Sequence, residues 1–129
     1  MNTQKKKIII VDDEVSFLDI FGKVLEGSGF EVKKFLSSKE ALLKIVEERP
    51  DLILLDISMP DITGLEFFEH LRNDFKGKMP KVIFLTNLSE TEGGTQLNQD
   101  FARDIGAEGY IKKTDDLDKI LERIKSELE

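Results

Sequence analysis

The chain has no cysteine and a single histidine among its 129 residues. Without cysteine there are no disulfides and no thiolate metal sites, and the redox compartment stays open. Long hydrophobic runs are also missing. The start, MNTQKKKIIIVDDE, sets basic residues before an apolar run, but only Ile8 to Val11 are apolar before two aspartates follow. That is too short for a signal-peptide core or a membrane span, so the expected location is cytoplasmic with no membrane association. Positive charge is scarce overall: 19 Lys and Arg against 26 Asp and Glu give a net charge of −7. Such a balance argues against direct nucleic-acid binding and suits a cation or a basic protein surface.

What is present is enough for one domain. A chain of 129 residues, 40% hydrophobic and 35% charged, can bury a single core. Near-continuous apolar runs occur at IIIV (8–11), LILL (52–55) and VIFL (82–85), with a shorter YI at 110–111. These read as strands buried on both faces of a parallel sheet. FEVKKF at 30–35 alternates imperfectly and reads as a weaker strand at an edge.

Between the strands lie helical stripes: Phe17, Leu18, Phe21, Val24 and Leu25; Ala41, Leu42, Ile45 and Val46, stopped by Pro50; Leu65, Phe68, Leu71 and Phe75; Leu97, Phe101 and Ile105; and Leu117, Ile120, Leu121, Ile124 and Leu128. Ser37 with Glu40 and Thr63 with Glu66 read as capping boxes. Strand and helix alternate five times, which predicts an α/β fold with a doubly wound parallel sheet and helices on both faces. SETEGGTQ (89–96) reads as a long loop.

In an open parallel sheet, ligands bind outside the carboxyl ends of the strands. Asp12 and Asp13 follow the first strand, Asp56 ends the third, Thr86 follows the fourth and Lys113 lies just past the fifth. Taken singly, Asp12 or Asp13 is as well read as a helix cap, and Lys113 as a surface charge. Asp56 is harder to explain, because its flanking run places it beside the core. Together, three clustered carboxylates repel, and one takes up a proton unless a cation is present. Magnesium suits such a set, since it binds one or two carboxylates and keeps room for phosphate oxygens. Lys113 and Thr86 supply what an arriving phosphoryl group needs.

With the acidic pair in IIIVDDE, Asp56 in DLILLDISMPDITGLE, Thr86 in VIFLTN and GAEGYIKK leading to Lys113, the chain resembles the receiver domain of two-component response regulators over essentially its whole length. The resemblance implies a flavodoxin-like fold of five parallel strands in the order 2-1-3-4-5 with five helices, one receiver domain over residues 1–129. It further implies that Asp56 accepts a phosphoryl group from a phosphohistidine on a kinase or transfer protein. Asp13 and Asp56 would bind Mg2+ directly, Asp12 through water, and Ser58 by its backbone carbonyl. Lys113 would pair with a phosphoryl oxygen, Thr86 would move to hydrogen-bond another, and Tyr110 would be the aromatic switch residue whose ring turns inward.

The output is expected to be docking to a downstream protein target, by a stand-alone receiver or one excised from a larger regulator, as a monomer or weak homodimer and not an enzyme in the ordinary sense. Departures from the family pattern are Thr114 where proline usually follows the lysine, the larger Asn87 after Thr86, and a longer stretch through Gly93 and Gly94. Ser58 and Leu88 stand where receivers tune phosphoryl lifetime. Two other classes compete. A degenerate receiver would only bind proteins. An aspartyl-phosphate hydrolase would need a second aspartate where Ser58 stands. His70 lies off the helical stripe and reads as a solvated surface residue, not a phosphotransfer site.

Overall fold

The computed structural model describes residues 5–57, 62, 64–75, 79–87 and 106–129. Five strands, β1 (Lys7–Val11), β2 (Glu31–Phe35), β3 (Leu52–Asp56), β4 (Lys81–Thr86) and β5 (Gly109–Lys112), form one parallel sheet in the order β2-β1-β3-β4-β5. Four helices are seen among the described residues: α1 (Val15–Gly27), α2 (Ser38–Glu48), α3 (Gly64–Asp74) and α4 (Leu117–Leu128). The helical stripe through Leu97, Phe101 and Ile105 lies outside them, as do the 89–96 stretch, Thr63, Leu88 and Ser58.

Period-two alternation sorts the strand side chains onto two faces. Ile8, Ile10, Leu52, Leu54, Ile83, Leu85 and Ile111 pack against Leu18, Phe21 and Leu25 of α1 and Ile120 and Ile124 of α4. Ile9, Val11, Ile53, Leu55, Val82, Phe84 and Tyr110 pack against Ala41 and Ile45 of α2 and Phe67, Phe68 and Leu71 of α3. β1, β3 and β4 are buried on both sides because a helix pair covers each face, which explains why their sequences read as unbroken apolar runs. β2 sits at an edge, and its polar Lys33 and Lys34 protect that edge from pairing with another chain.

Local signals set the helix limits. The Ser37 side chain accepts from the Glu40 N–H at 3.3 Å, as the capping box requires. Ser37→Ala is therefore expected to lower unfolding free energy by about 1 kcal/mol in urea titration. At the other end of α2, Arg49 closes the helix in a left-handed conformation (φ 50°) just before Pro50. Val46, on the same apolar stripe, is exposed, because the buried face of α2 is the narrower one of Ser38, Ala41 and Ile45. α4 is capped by Asp116, whose side chain accepts from the Asp118 N–H. The peptide bonds of the described residues are all trans. His70 is exposed on α3.

Candidate functional site

The sheet ends all its strands on one rim, and the register there places the polar residues. Asp12 follows β1, and its backbone N–H donates to the Phe35 carbonyl. Asp56 closes β3 opposite Leu85, and Thr86 closes β4 opposite Lys112. The Lys113 N–H donates to the Thr86 carbonyl at 2.9 Å, which turns the chain after β5 so that Lys113 crosses the rim. Asp12, Asp56 and Thr86 are buried, with exposures of 0%, 6% and 3%.

Lys113 Nζ is the hub. It lies 2.5 Å from Asp12 Oδ2, 2.6 Å from Glu14 Oε1 and 3.2 Å from Asp56 Oδ2. Beneath it, the Phe17 ring centroid is 5.0 Å away, a cation–π contact that adds a desolvated anchor for the same charge. The buried Asp56 carboxylate thus has a charged partner from the strand two places along the sheet. Burial lowers the Lys113 pKa, but hydrogen bonds to Asp12 and Glu14 and the charge of Asp56 outweigh it and hold the ammonium above its ordinary value.

Asp12 fares differently. Its Oδ1 accepts from the Glu14 N–H at 2.9 Å, in a tight turn ahead of α1. Burial pushes its pKa up to about 6, against the pull of Lys113 and the Glu14 N–H. One ammonium shared among three carboxylates does not fully compensate the most buried of them. Consistently, Asp12 Oδ2 has no well-aligned hydrogen bond despite its closeness to Lys113. The expected competition for a proton or cation is therefore present in the geometry.

Glu14 has its pKa lowered by the hydrogen bond from Lys113 and then by that from Asn87, whose Nδ2 donates to the same Oε1 at 2.8 Å. Oxygens of Asp12, Asp13 and Asp56 lie within 4.8 Å of one another, a spacing that could hold one metal ion. Four rim residues read from the sequence, Asp12, Asp13, Asp56 and Lys113, thus meet at one place, and Thr86 ends the adjacent strand β4 on the same rim. Ser58 falls outside the described residues. Tyr110 is on β5 with its ring buried in the cluster of Phe84, Phe67 and Ala107. Sequence reasoning missed Glu14 and Phe17. The signal for Glu14 was its place directly after the acidic pair; for Phe17 there was only its place on the first turn of α1.

Comparison with known proteins decides what this rim belongs to. The sequence pattern of the response regulator receiver domain matches residues 8–125. The chain belongs to that family. This receiver domain is 37% identical over 121 residues to the transcriptional regulatory protein CrdR of Helicobacter pylori, covering 94% of the present chain and 54% of CrdR. It is 33% identical over 123 residues to the polar-differentiation response regulator DivK of Brucella ovis, covering 95% of this chain and 96% of DivK. The chain thus spans about half the length of the first relative and nearly all of the second.

Among solved structures, it is similar to a CheY-like receiver domain protein from Methanospirillum hungatei, with a TM-score of 0.80, 32% identity and coverage of 97% of this chain and 94% of that one. The chemotaxis response regulator CheY4 of Vibrio cholerae superposes with a TM-score of 0.81 at 26% identity, covering 96% and 99%. Receiver domains are the phosphoacceptor signalling domains of two-component systems, and the β2-β1-β3-β4-β5 sheet is their fold. No helix among the described residues is long and apolar enough to cross a membrane.

Proposed function

We propose that Asp56 is the phosphoacceptor of this receiver and that a histidine kinase or phosphotransfer protein loads it. The observation carrying the proposal is the joint placement of Asp56 at the end of β3 with Lys113 Nζ 3.2 Å away and two further carboxylates beside it. In the transfer, an Asp56 oxygen forms the bond to phosphorus as the phosphorus–nitrogen bond of the donor breaks, and the imidazole nitrogen leaves with the electron pair. Lys113 neutralises charge on the transferred oxygens, and the Thr86 hydroxyl donates to one of them.

Asp12, Asp13 and Asp56 fit a hard divalent cation, because Asp12 Oδ2 is buried without an aligned donor and its carboxyl is held proton-hungry. Magnesium would supply charge neutralisation for the phosphoryl oxygens at that position. Ser58 would add its backbone carbonyl. The chain's own residues do the rest: Phe17 and the three carboxylates hold Lys113 in reach, and the strand ends fix Asp56 and Thr86.

The new group brings between one and two negative charges near pH 7. Lys113 and Thr86 bind it only after transfer, and that differential contact is what can shift the domain between two states. Tyr110, on the strand beside Thr86, would repack as Thr86 moves, which alters the surface offered to a downstream protein.

The test uses acetyl phosphate with magnesium, followed by borohydride reduction and peptide mapping. An acyl phosphate on Asp56 is converted to homoserine at position 56, and chelation of the cation is expected to prevent it. Label at another residue would refute the assignment. Absence of label, from a kinase donor as well, would make the chain a receiver that only binds proteins.

A further inference from the structure

We infer that Glu14 is a positioning residue that restrains Lys113 and Asn87 in the unphosphorylated state and slows the loading of Asp56. The inference rests on the proposed role of Asp56 and concerns how fast that site is filled. An ammonium has three N–H donors, and here three carboxylates surround it, those of Asp12, Glu14 and Asp56. A phosphoryl oxygen on Asp56 must compete with the remaining carboxylates for that ammonium.

Glu14 is the one that can leave. Its side chain is 45% exposed, against 0% for Asp12 and 8% for Asp56, so it regains water on release while the others do not. It also lies outside the cluster of Asp12, Asp13 and Asp56, so a cation bound there leaves the Glu14 contact with Lys113 in place.

Two features separate this from an ordinary helix-end glutamate. Glu14 occupies the N-cap of α1 and could serve the helix there, yet its side chain makes no capping hydrogen bond. Instead its Oε1 collects both Lys113 Nζ and Asn87 Nδ2, from positions 99 and 73 residues away. Asn87 directly follows β4 and Lys113 directly follows β5, so both stand on the rim that a phosphoryl group would approach. Release of Glu14 frees them together, and until then its negative charge also faces the incoming anion.

The experiment measures loading rates with magnesium and subsaturating acetyl phosphate, by intact mass, for wild type, Glu14→Gln, Glu14→Ser and Glu14→Asp. Glu14→Gln and Glu14→Ser are expected to load about fivefold faster, the scale of one partly exposed ion pair. Glu14→Asp, which keeps the carboxylate, stays within about twofold of wild type. Ser is a strong N-cap, so a purely structural Glu14 would show as a raised melting temperature with an unchanged rate. Gln and Ser variants that load no faster than a labelled wild type overturn the inference and leave Asp56 standing. Failure of every variant and wild type to label overturns both.

Discussion

Asp56→Asn is expected to take up no phosphoryl group from acetyl phosphate or from a phosphohistidine donor, a loss on the order of a thousandfold or more, as when a nucleophile is removed outright. An amide oxygen is a poor nucleophile, and its adduct would have no stable acyl-phosphate form. The neighbouring carboxylates do not replace it. Asp12 is fully buried and tied to Lys113 and the Glu14 N–H. Asp13 is exposed, and peptide mapping of the variant checks that it takes no label in place of Asp56. The substitution preserves shape and removes a negative charge whose repulsion raises the Asp12 pKa. Unfolding free energy at neutral pH without divalent cation should hold steady or rise, which separates lost chemistry from lost fold. Labelling of Asp56→Asn at the wild-type rate would show that the acceptor lies elsewhere.

Why Asp56 stood out in the sequence and Glu14 did not has a physical basis. A carboxylate at the end of LILL is anomalous against its own neighbours, because burial of the preceding residues is written in their apolarity. Glu14 is anomalous against nothing: an acidic residue before a helix is ordinary. Its role exists only through Lys113 and Asn87, which the sheet brings to it from the far end of the chain.

The same divide runs through the fold. The β-strands were legible because a two-sided core leaves no room for polar residues. The edge position of β2 was legible from its broken alternation. Val46 was misplaced because periodicity shows which residues share a stripe but not how wide a stripe the neighbours cover. Phe67 shows the converse: it lies off the period of Leu65, Phe68 and Leu71 yet is fully buried beside Phe68, because the sheet covers a wider face of α3 than that stripe.

Lys113→Ala should be the most destabilising change at the rim, and its size should depend on pH. The substitution leaves the buried carboxylates of Asp12 and Asp56 without their ammonium, and breaking a buried pair from one side typically costs about 3–5 kcal/mol. In the wild type the Asp12 pKa already stands at about 6, above its ordinary 3.8. A folded value above the unfolded one means the native state holds more protons between the two, so stability falls as pH rises through that window. With a slope of at most 1.36 kcal/mol per unit, the fall between pH 4 and 6 is about 2 kcal/mol.

Glu14 acts in the opposite sense and lower down: its depressed pKa contributes stability above its ordinary 4.5 that is lost as pH drops. The contribution of Lys113, whose pKa is raised, is complete across this range and is lost only in strong alkali. Removing Lys113 deletes the main force opposing Asp12 protonation, so the variant's decline should steepen and extend above pH 6. Urea unfolding at pH 4.5, 6 and 7.5, with chelator and then with magnesium, checks each point. The deficit should be smallest at pH 4.5, where protonation neutralises Asp12. Magnesium at pH 7.5 should restore the variant more than it stabilises the wild type, because the cation then supplies the charge that the ammonium no longer does. A loss that is the same at all three pH values and indifferent to cation would mean that Lys113 is held by packing on Phe17, with the carboxylates as bystanders.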